Sequence, residues 1–428
     1  MLDPAFLRER LEALQDPSTG PAQIPAHHFE EADRELAEVL AERGNAGSRA
    51  PFMPHTATNS ILQSLLTTCV ESRASEVLEA VPHGLHRLAQ ASLTDAEIFR
   101  QYGPCDPGWV TTGLAKGLDR FQGKPPFPDE PAPPAHLADN ARVVIVGDWG
   151  TGLPGAVAVA QQMRKWLADA SDRERHVIHL GDVYYCGWRE EYEHRFLRYW
   201  PVEPDEREIM SWALTGNHDM YSGGHGYFGF LLHDPRFRGH WRGDPTKQPP
   251  SSHFSIENDH WQMLGLDSSY AEHDFAGSQE QWLTEKLLAD RRTMLLSHHQ
   301  PVSAYAKNVP QVMAEKVQAA LPAGRSIDAW LWGHEHRCTI YENPAPYLKF
   351  GSCSGNGGVP LLLPDPPLSA QSVGPGYAPA SWTYQGAEVV DGNDWLRFGF
   401  LVLDFDGPHL RLRYVDEHNT VVHSETIS

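Results

Sequence analysis

Apolar positions fall into two regimes along the chain. In residues 1 to about 120 they recur at helical spacing: Leu7, Leu11 and Leu14, then Phe29, Ala32, Leu36, Val39 and Leu40 ahead of Gly44, then Ile61, Leu62, Leu65, Leu66 and Cys69, and a further stripe from Val77 to Leu88. Steps of three and four place such residues on one helix face, and a glycine just past the stripe suits a left-handed C-terminal cap. We therefore expect residues 1–124 to form a helical accessory region. Residues 125–140, which include the run from Pro125 to Pro134 (PPFPDEPAPP), read as a stiff, extended linker.

From residue 141 to 428 the periodicity shortens. Val143–Val146, Val177–Leu180, Trp212–Leu214, Met294–Leu296 and Ala329–Trp332 are short apolar runs of strand character. Helical segments lie between some of them, from Ala156 to Leu167 and from Ser278 to Leu288, the latter opening with Ser278 and Gln281 at capping-box spacing. Strands alternating with helices predict βαβ units. Phe398–Phe405, Leu410–Val415 and Val421–Ser424 read instead as successive antiparallel strands, and the Gly- and Pro-rich stretch from Gly351 to Pro379 as a long surface loop. No internal repeat is present.

Composition narrows the possibilities. The chain has 428 residues, 41% hydrophobic and 21% charged, which suits a globular protein of one large core with an appendage or two to three domains. No apolar stretch approaches the ~18–20 residues that span a bilayer. The opening MLDPAFLRERLEALQ is amphipathic rather than the apolar core of a secretory leader, so a cytoplasmic location is expected. Five cysteines, scattered and without a CxxC pair, argue against a disulfide scaffold. A formal charge of −21 disfavours nucleic acid or an anionic membrane as partner. It would also repel an anionic small molecule, so any phosphate site needs a compact local positive charge. Nothing in the composition reports the oligomeric state.

The apolar runs end, or nearly end, at five polar signatures: Asp148 in GDWG, Asp182 and Tyr185 (with Tyr184 adjoining) in GDVYY, Asn217 and His218 in GNHD, His298 and His299 in SHHQP, and His334 and His336 in GHEH. In α/β folds functional groups gather at the carboxyl ends of strands. Carboxylates, an amide and imidazoles in this recurrence supply the ligands of two neighbouring cations. Asp182 is the candidate bridge, because a carboxylate with one oxygen on each ion offsets the repulsion of cations ~3.5–4 Å apart. His218 is free to act as a proton donor, with Asp219 beside it to orient it. A rival reading exists for GDWGTG: Gly150, Gly152 and Gly155 form a GxGxxG after a strand, the fingerprint of an NAD(P)-linked oxidoreductase. That reading leaves GNHD and GHEH unexplained, and the second strand ends in GDVYY rather than in an acidic ribose contact.

The five signatures resemble the calcineurin-like metallophosphoesterases, and more narrowly the purple acid phosphatases, marked by GDxG, GDxxY, GNH[DE], VxxH and GHxH. The likeness covers about residues 141 to 415. It implies a four-layer αββα sandwich of two mixed sheets. It also implies one ion held by Asp148, Asp182, Tyr185 and His336, and another by Asp182, Asn217, His299 and His334. His299 is chosen over His298 for its HxP spacing to Pro301. A Tyr185 phenolate would suit Fe(III), and the second set would accept Fe(II), Zn(II) or Mn(II). The implied reaction is hydrolysis of a small phosphate ester, by a monoesterase or a diesterase, through a metal-activated water.

Overall fold

A computed structural model describes residues 123–427, apart from 364, 365, 370–372 and 391, together with Phe99, Tyr102 and Thr112. The helical stripes expected in residues 1–124 lie outside the described residues. The chain divides into two units, residues 1–124 with Tyr221–Gly223, and Pro125–Met220 with Gly224–Ser428; the second carries everything that follows.

Two mixed sheets form its middle. One has six strands in the order β17-β16-β15-β2-β3-β4, built from β2 (Arg142–Val146), β3 (Arg175–His179), β4 (Ile209–Ala213), β15 (Gly399–Asp406), β16 (His409–Asp416) and β17 (Val421–Ile427). β2, β3 and β4 run parallel, whereas β15, β16 and β17 add antiparallel neighbours. The other has eight strands in the order β1-β5-β6-β7-β8-β10-β9-β12. Its members are β1 (Ala135–His136), β5 (Phe254–Glu257), β6 (Trp261–Gly265), β7 (Arg292–Ser297), β8 (Ala329–Trp332), β9 (Cys338–Ala345), β10 (Leu348–Ser354) and β12 (Trp382–Thr383). A small third sheet pairs β11 (Leu362–Leu363), β14 (Asn393–Leu396) and β13 (Ala387–Val390).

Side-chain alternation builds the layers. Val143 and Ile145 of β2 face the second sheet and pack with Met263, Met294, Leu296, Leu331, Leu401 and Leu403 between the sheets. Val144 and Val146 point the other way, onto Ala156, Val159, Met163 and Leu167 of helix α1 (Pro154–Ala168). On the far face of the eight-stranded sheet, Leu295, Trp330 and Trp332 meet Trp282 and Leu283 of α2 (Gln279–Leu287) and Met313 and Val317 of α3 (Val312–Ala320). Strands buried on both faces read as continuous apolar runs, and the result is the expected αββα sandwich.

Three local expectations change. Residues 125–140 are extended, as their prolines require, but lie along the domain: Phe127 stacks on His253 with ring centres 5.6 Å apart, Ala132 N donates to His253 O, and β1 pairs with β5. The capping box of α2 does not form, because the Ser278 hydroxyl donates to the Asp129 carbonyl instead. The stretch from Gly351 is not surface loop at its start: β10 runs to Ser354, and residues 355–359 are buried. No helix among the described residues is long and apolar enough to cross a membrane.

Candidate metal centre

Five strand ends meet at one edge of the sandwich. Asp148 follows β2, Asp182 follows β3, Asn217 opens a short helix (Asn217–Met220) after β4, His298 follows β7, and His334 and His336 follow β8. Four of these residues take left-handed backbone conformations, with φ of 55° at Asp148, 76° at Asp182, 70° at His334 and 51° at His336. Such φ values are uncommon outside glycine and are held only where the surroundings fix them. Here backbone bonds do so: Gly147 N donates to Ser354 O, Asp148 N to Gly181 O and Gly333 N to His298 O. The glycines that begin four of the signatures serve close approach. A Cβ on Gly216 would fall onto Asp182 Oδ1, and one on Gly333 would stand 2.6 Å from Asp148 Oδ2.

One half of the cluster comprises Asp148, Asp182, a tyrosine and His336. The tyrosine is Tyr184, not Tyr185. The Tyr184 hydroxyl lies 3.1 Å from Asp148 Oδ1, 3.0 Å from Asp182 Oδ2 and 2.9 Å from His336 Nε2. Tyr185 turns away to lie under the Arg195 guanidinium, 5.2 Å from its ring centre. The backbone decides this. Glu191 accepts the N–H groups of Tyr185, Cys186 and Trp188, and Arg195 donates to the Tyr184 carbonyl, so the peptide planes are pinned with Tyr184 inward.

The other half holds Asn217, His334 and His298, with His299 beside them. Asn217 Oδ1 is 2.9 Å from His298 Nε2 and 2.9 Å from His334 Nδ1, and His298 Nε2 is 3.4 Å from Asp182 Oδ1. His298 Nδ1 sits 3.0 Å from the Leu180 carbonyl, which fixes its proton there and turns the Nε2 lone pair inward. His299 lies one step aside. Its backbone N–H donates to Ser268 Oγ, its Nδ1 is 3.1 Å from the same oxygen, and its ring packs 3.8 Å from His273. The Leu180 carbonyl orients His298, while Ser268 Oγ holds His299 beside it. Asp182 touches both halves, accepting Tyr184 on one oxygen and the His218 N–H on the other at 2.9 Å.

His218 and Asp219 are present but are not coupled as expected. His218 Nδ1 lies 2.7 Å from the Tyr185 carbonyl, which orients the ring and leaves Nε2 facing Asp182 Oδ2 at 3.8 Å. Asp219 instead accepts from the N–H groups of Asp182, Val183 and Gly216 and from the Tyr192 hydroxyl, bracing two signature turns together. Sequence reasoning missed these braces, Glu191, Arg195 and Ser268; a buried acid followed four residues later by Arg on a helical turn was the available signal for the first two. The glycines of GDWGTG are filled by protein: a Cβ on Gly150 would meet Val183, and one on Gly155 the Phe398 ring. No cradle for a dinucleotide pyrophosphate forms there, and the oxidoreductase reading is set aside.

Electrostatics test whether cations fit. Asp148 and Asp182 are buried, at 0% and 1% exposure, and no Lys or Arg among the described residues pairs with either. Burial and the neighbouring Asp148 and Asp219 push Asp182 well above the usual carboxylate range. Burial also acts to raise Asp148, but bonding and charge from His336, with His298 and the His334 N–H, outweigh it. Burial depresses His298 to about 4 and His218 to about 3, so the imidazoles offer lone pairs rather than charge. Two buried acids without a Lys or Arg partner, facing the neutral nitrogens of His298 and His218, favour a bound counter-charge. Ligand atoms of Asp148, Asp182 and His298, and of His298, His299 and His334, converge within 4.8 Å in each group. The residues fit bound metal cations.

The described residues thus form a two-sheet sandwich with buried acids, an amide and imidazoles gathered at one edge. Residues 141–338 match the family model described as calcineurin-like phosphoesterase. Among solved structures the chain is similar to a purple acid phosphatase from yellow lupin (Lupinus luteus), with 16% identity over 70% of this chain and 55% of that one and a TM-score of 0.43. It is also similar to GAP50 of Plasmodium, described as the anchor in the inner membrane complex, with 12% identity over 68% of this chain and 89% of that one and a TM-score of 0.44. A third is zinc-complexed Vps29 of Entamoeba histolytica, with 13% identity over 67% and 98% and a TM-score of 0.29. The chain thus spans just over half of the lupin protein's length. No curated protein matches it.

Proposed function

We propose that the protein is a phosphomonoesterase of the purple acid phosphatase kind, working through two cations. Asp148, Asp182, Tyr184 and His336 would hold one, and Asp182, Asn217, His298 and His334 the other. The observation that carries the reading is the placement of Asp182, which accepts Tyr184 on one oxygen, has His298 and the His218 N–H on the other, and groups with Asp148. Bound there, two cations would neutralise phosphoryl oxygens and lower the pKa of a coordinated water to ~7. The phenol in the first set favours Fe(III), and the second set suits Fe(II), Zn(II) or Mn(II).

The protein's own groups do the rest. Asn217 contributes a neutral oxygen, so the centre keeps its positive charge for an anionic ester. The Tyr185 carbonyl orients His218 so that Nε2 faces the cluster. An arriving phosphate dianion supplies the charge that lets Nε2 carry a proton and pass it to the departing alkoxide.

Metal analysis of the purified protein with turnover of an aryl monoester tests this. Two ions per chain are expected, and Asp182→Asn should lose metal and turnover together. Near-wild-type hydrolysis by that variant would refute the dinuclear reading. Faster turnover of an aryl diester than of the monoester would move the assignment to a phosphodiesterase.

A further inference from the structure

The second half of the cluster contains one more imidazole than the proposed ligand set uses. His299 is 1% exposed, and its Nε2 has no hydrogen-bond partner. A buried ring nitrogen left that way costs free energy, and buried imidazoles ordinarily find a partner. Its ring centre stands 4.8 Å from that of His334 and 5.1 Å from that of His298, and nitrogens of the three rings gather within 4.8 Å of one another. Ser268 holds the opposite edge of the ring through Oγ, and His273 packs against its face. Support on both sides of a ring whose remaining nitrogen is unpaired is the arrangement expected around a metal-ligating histidine.

The geometry points to a three-imidazole face at the second cation position, in which His299 joins His298 and His334 as a ligand and selects a borderline cation such as Zn(II) or Co(II) over Mn(II) or Mg(II). The inference rests on the dinuclear reading above and adds a division of labour to it. The first position offers three oxygens, from Asp148, Asp182 and Tyr184, with one nitrogen from His336. The second offers Asp182 and Asn217 oxygens with three nitrogens. Imidazole favours zinc-like ions, whereas carboxylate, carbonyl and water suit manganese and magnesium.

Full-length protein stripped with a chelator and reloaded by equilibrium dialysis against Zn(II) and Mn(II) together tests the inference, with bound metal measured directly. Wild type is expected to fill one position with zinc even in excess manganese. His299→Asn should weaken that zinc binding at least about 10-fold and change the visible absorption of the Co(II)-loaded protein. Unchanged zinc affinity and an unchanged cobalt spectrum in His299→Asn, with two ions still bound, would overturn it while leaving the dinuclear reading intact. Wild type that retains no divalent cation would sink both. Circular dichroism of the stripped proteins checks the fold. Should His299→Asn unfold, Ser268→Ala keeps the imidazole but releases its anchored edge, and wild-type zinc affinity there counts equally against the inference.

Discussion

The Tyr184 phenol oxygen lies 3.0 Å from Oδ2 of Asp182, two residues earlier in the same turn. The aromatic ring thus folds back over its own strand end, and the side chain beside it in sequence, Tyr185, is sent to the far side of the turn.

That relationship predicts a spectroscopic difference between neighbouring residues. Protein purified in air is expected to show a broad visible band from phenolate-to-Fe(III) charge transfer. Tyr184→Phe should abolish it, and Tyr185→Phe should leave it in place. Absorption spectra of the two variants decide the matter. A band that disappears with Tyr185 would reverse the placement, and a colourless active enzyme would remove Fe(III) from the first position.

A second prediction concerns the leaving group. His218 is anchored by a 2.7 Å contact from Nδ1 to the Tyr185 carbonyl, so its Nε2 faces the cluster, 3.8 Å from Asp182 Oδ2. If it protonates the departing oxygen, His218→Asn should slow hydrolysis of alkyl phosphates by about 10²–10⁴-fold. An ester whose leaving group departs without a proton, such as p-nitrophenyl phosphate, should lose much less. Equal losses on both, measured as kcat, would assign His218 a positioning role instead.

Much of this architecture was legible because its strands are apolar on both faces. Val143–Val146 and Ala329–Trp332 announce themselves as buried runs, and each ends at a signature. β6 escapes such reading, since Gln262 in its middle is fully buried yet polar, bonded to Thr293 Oγ1 and the Lys286 carbonyl. β10 escapes it because Gly351, Ser352 and Cys353 are too small to mark a face. In the centre, spacing located each cluster to within one residue but not the choice between neighbours. The inward turn of Tyr184 depends on Glu191 and Arg195, and the inward-facing Nε2 of His298 on the Leu180 carbonyl, 118 residues away. Contacts of that kind have no period along the chain.

A third prediction concerns pH and lies away from the centre. Burial, then Asp416 and Glu388, pushes Glu417 from 4.5 to about 7. The folded protein therefore holds a proton that the unfolded chain releases. The associated stability is fully present below pH 4.5 and is lost as pH rises through about 7. Across that window the loss is on the order of 3 kcal/mol, at about 1.36 kcal/mol per pKa unit. Glu417→Gln should be more stable than wild type at pH 8 and no more stable at pH 4. Urea unfolding at the two pH values measures this, and parallel curves would dismiss Glu417 as the source.

The last prediction uses a glycine to separate fold from centre. Gly216 packs so closely on the GDVYY turn that a Cβ there would fall onto Asp182 Oδ1. Its N–H also donates to Asp219, which braces Asp182 and Val183 at the same time. The two sheets depend on neither contact, because their cores are formed by strand residues well inside the sandwich. Gly216→Ala should accordingly keep the circular dichroism of wild type while losing bound metal and turnover together, since the bridging carboxylate is the group displaced. Retained metal with lost turnover would mean that the Cβ shifts Asn217 or His218 instead. Retained activity would show that the GNHD turn yields without moving Asp182, and the shared position of that carboxylate would then need another support.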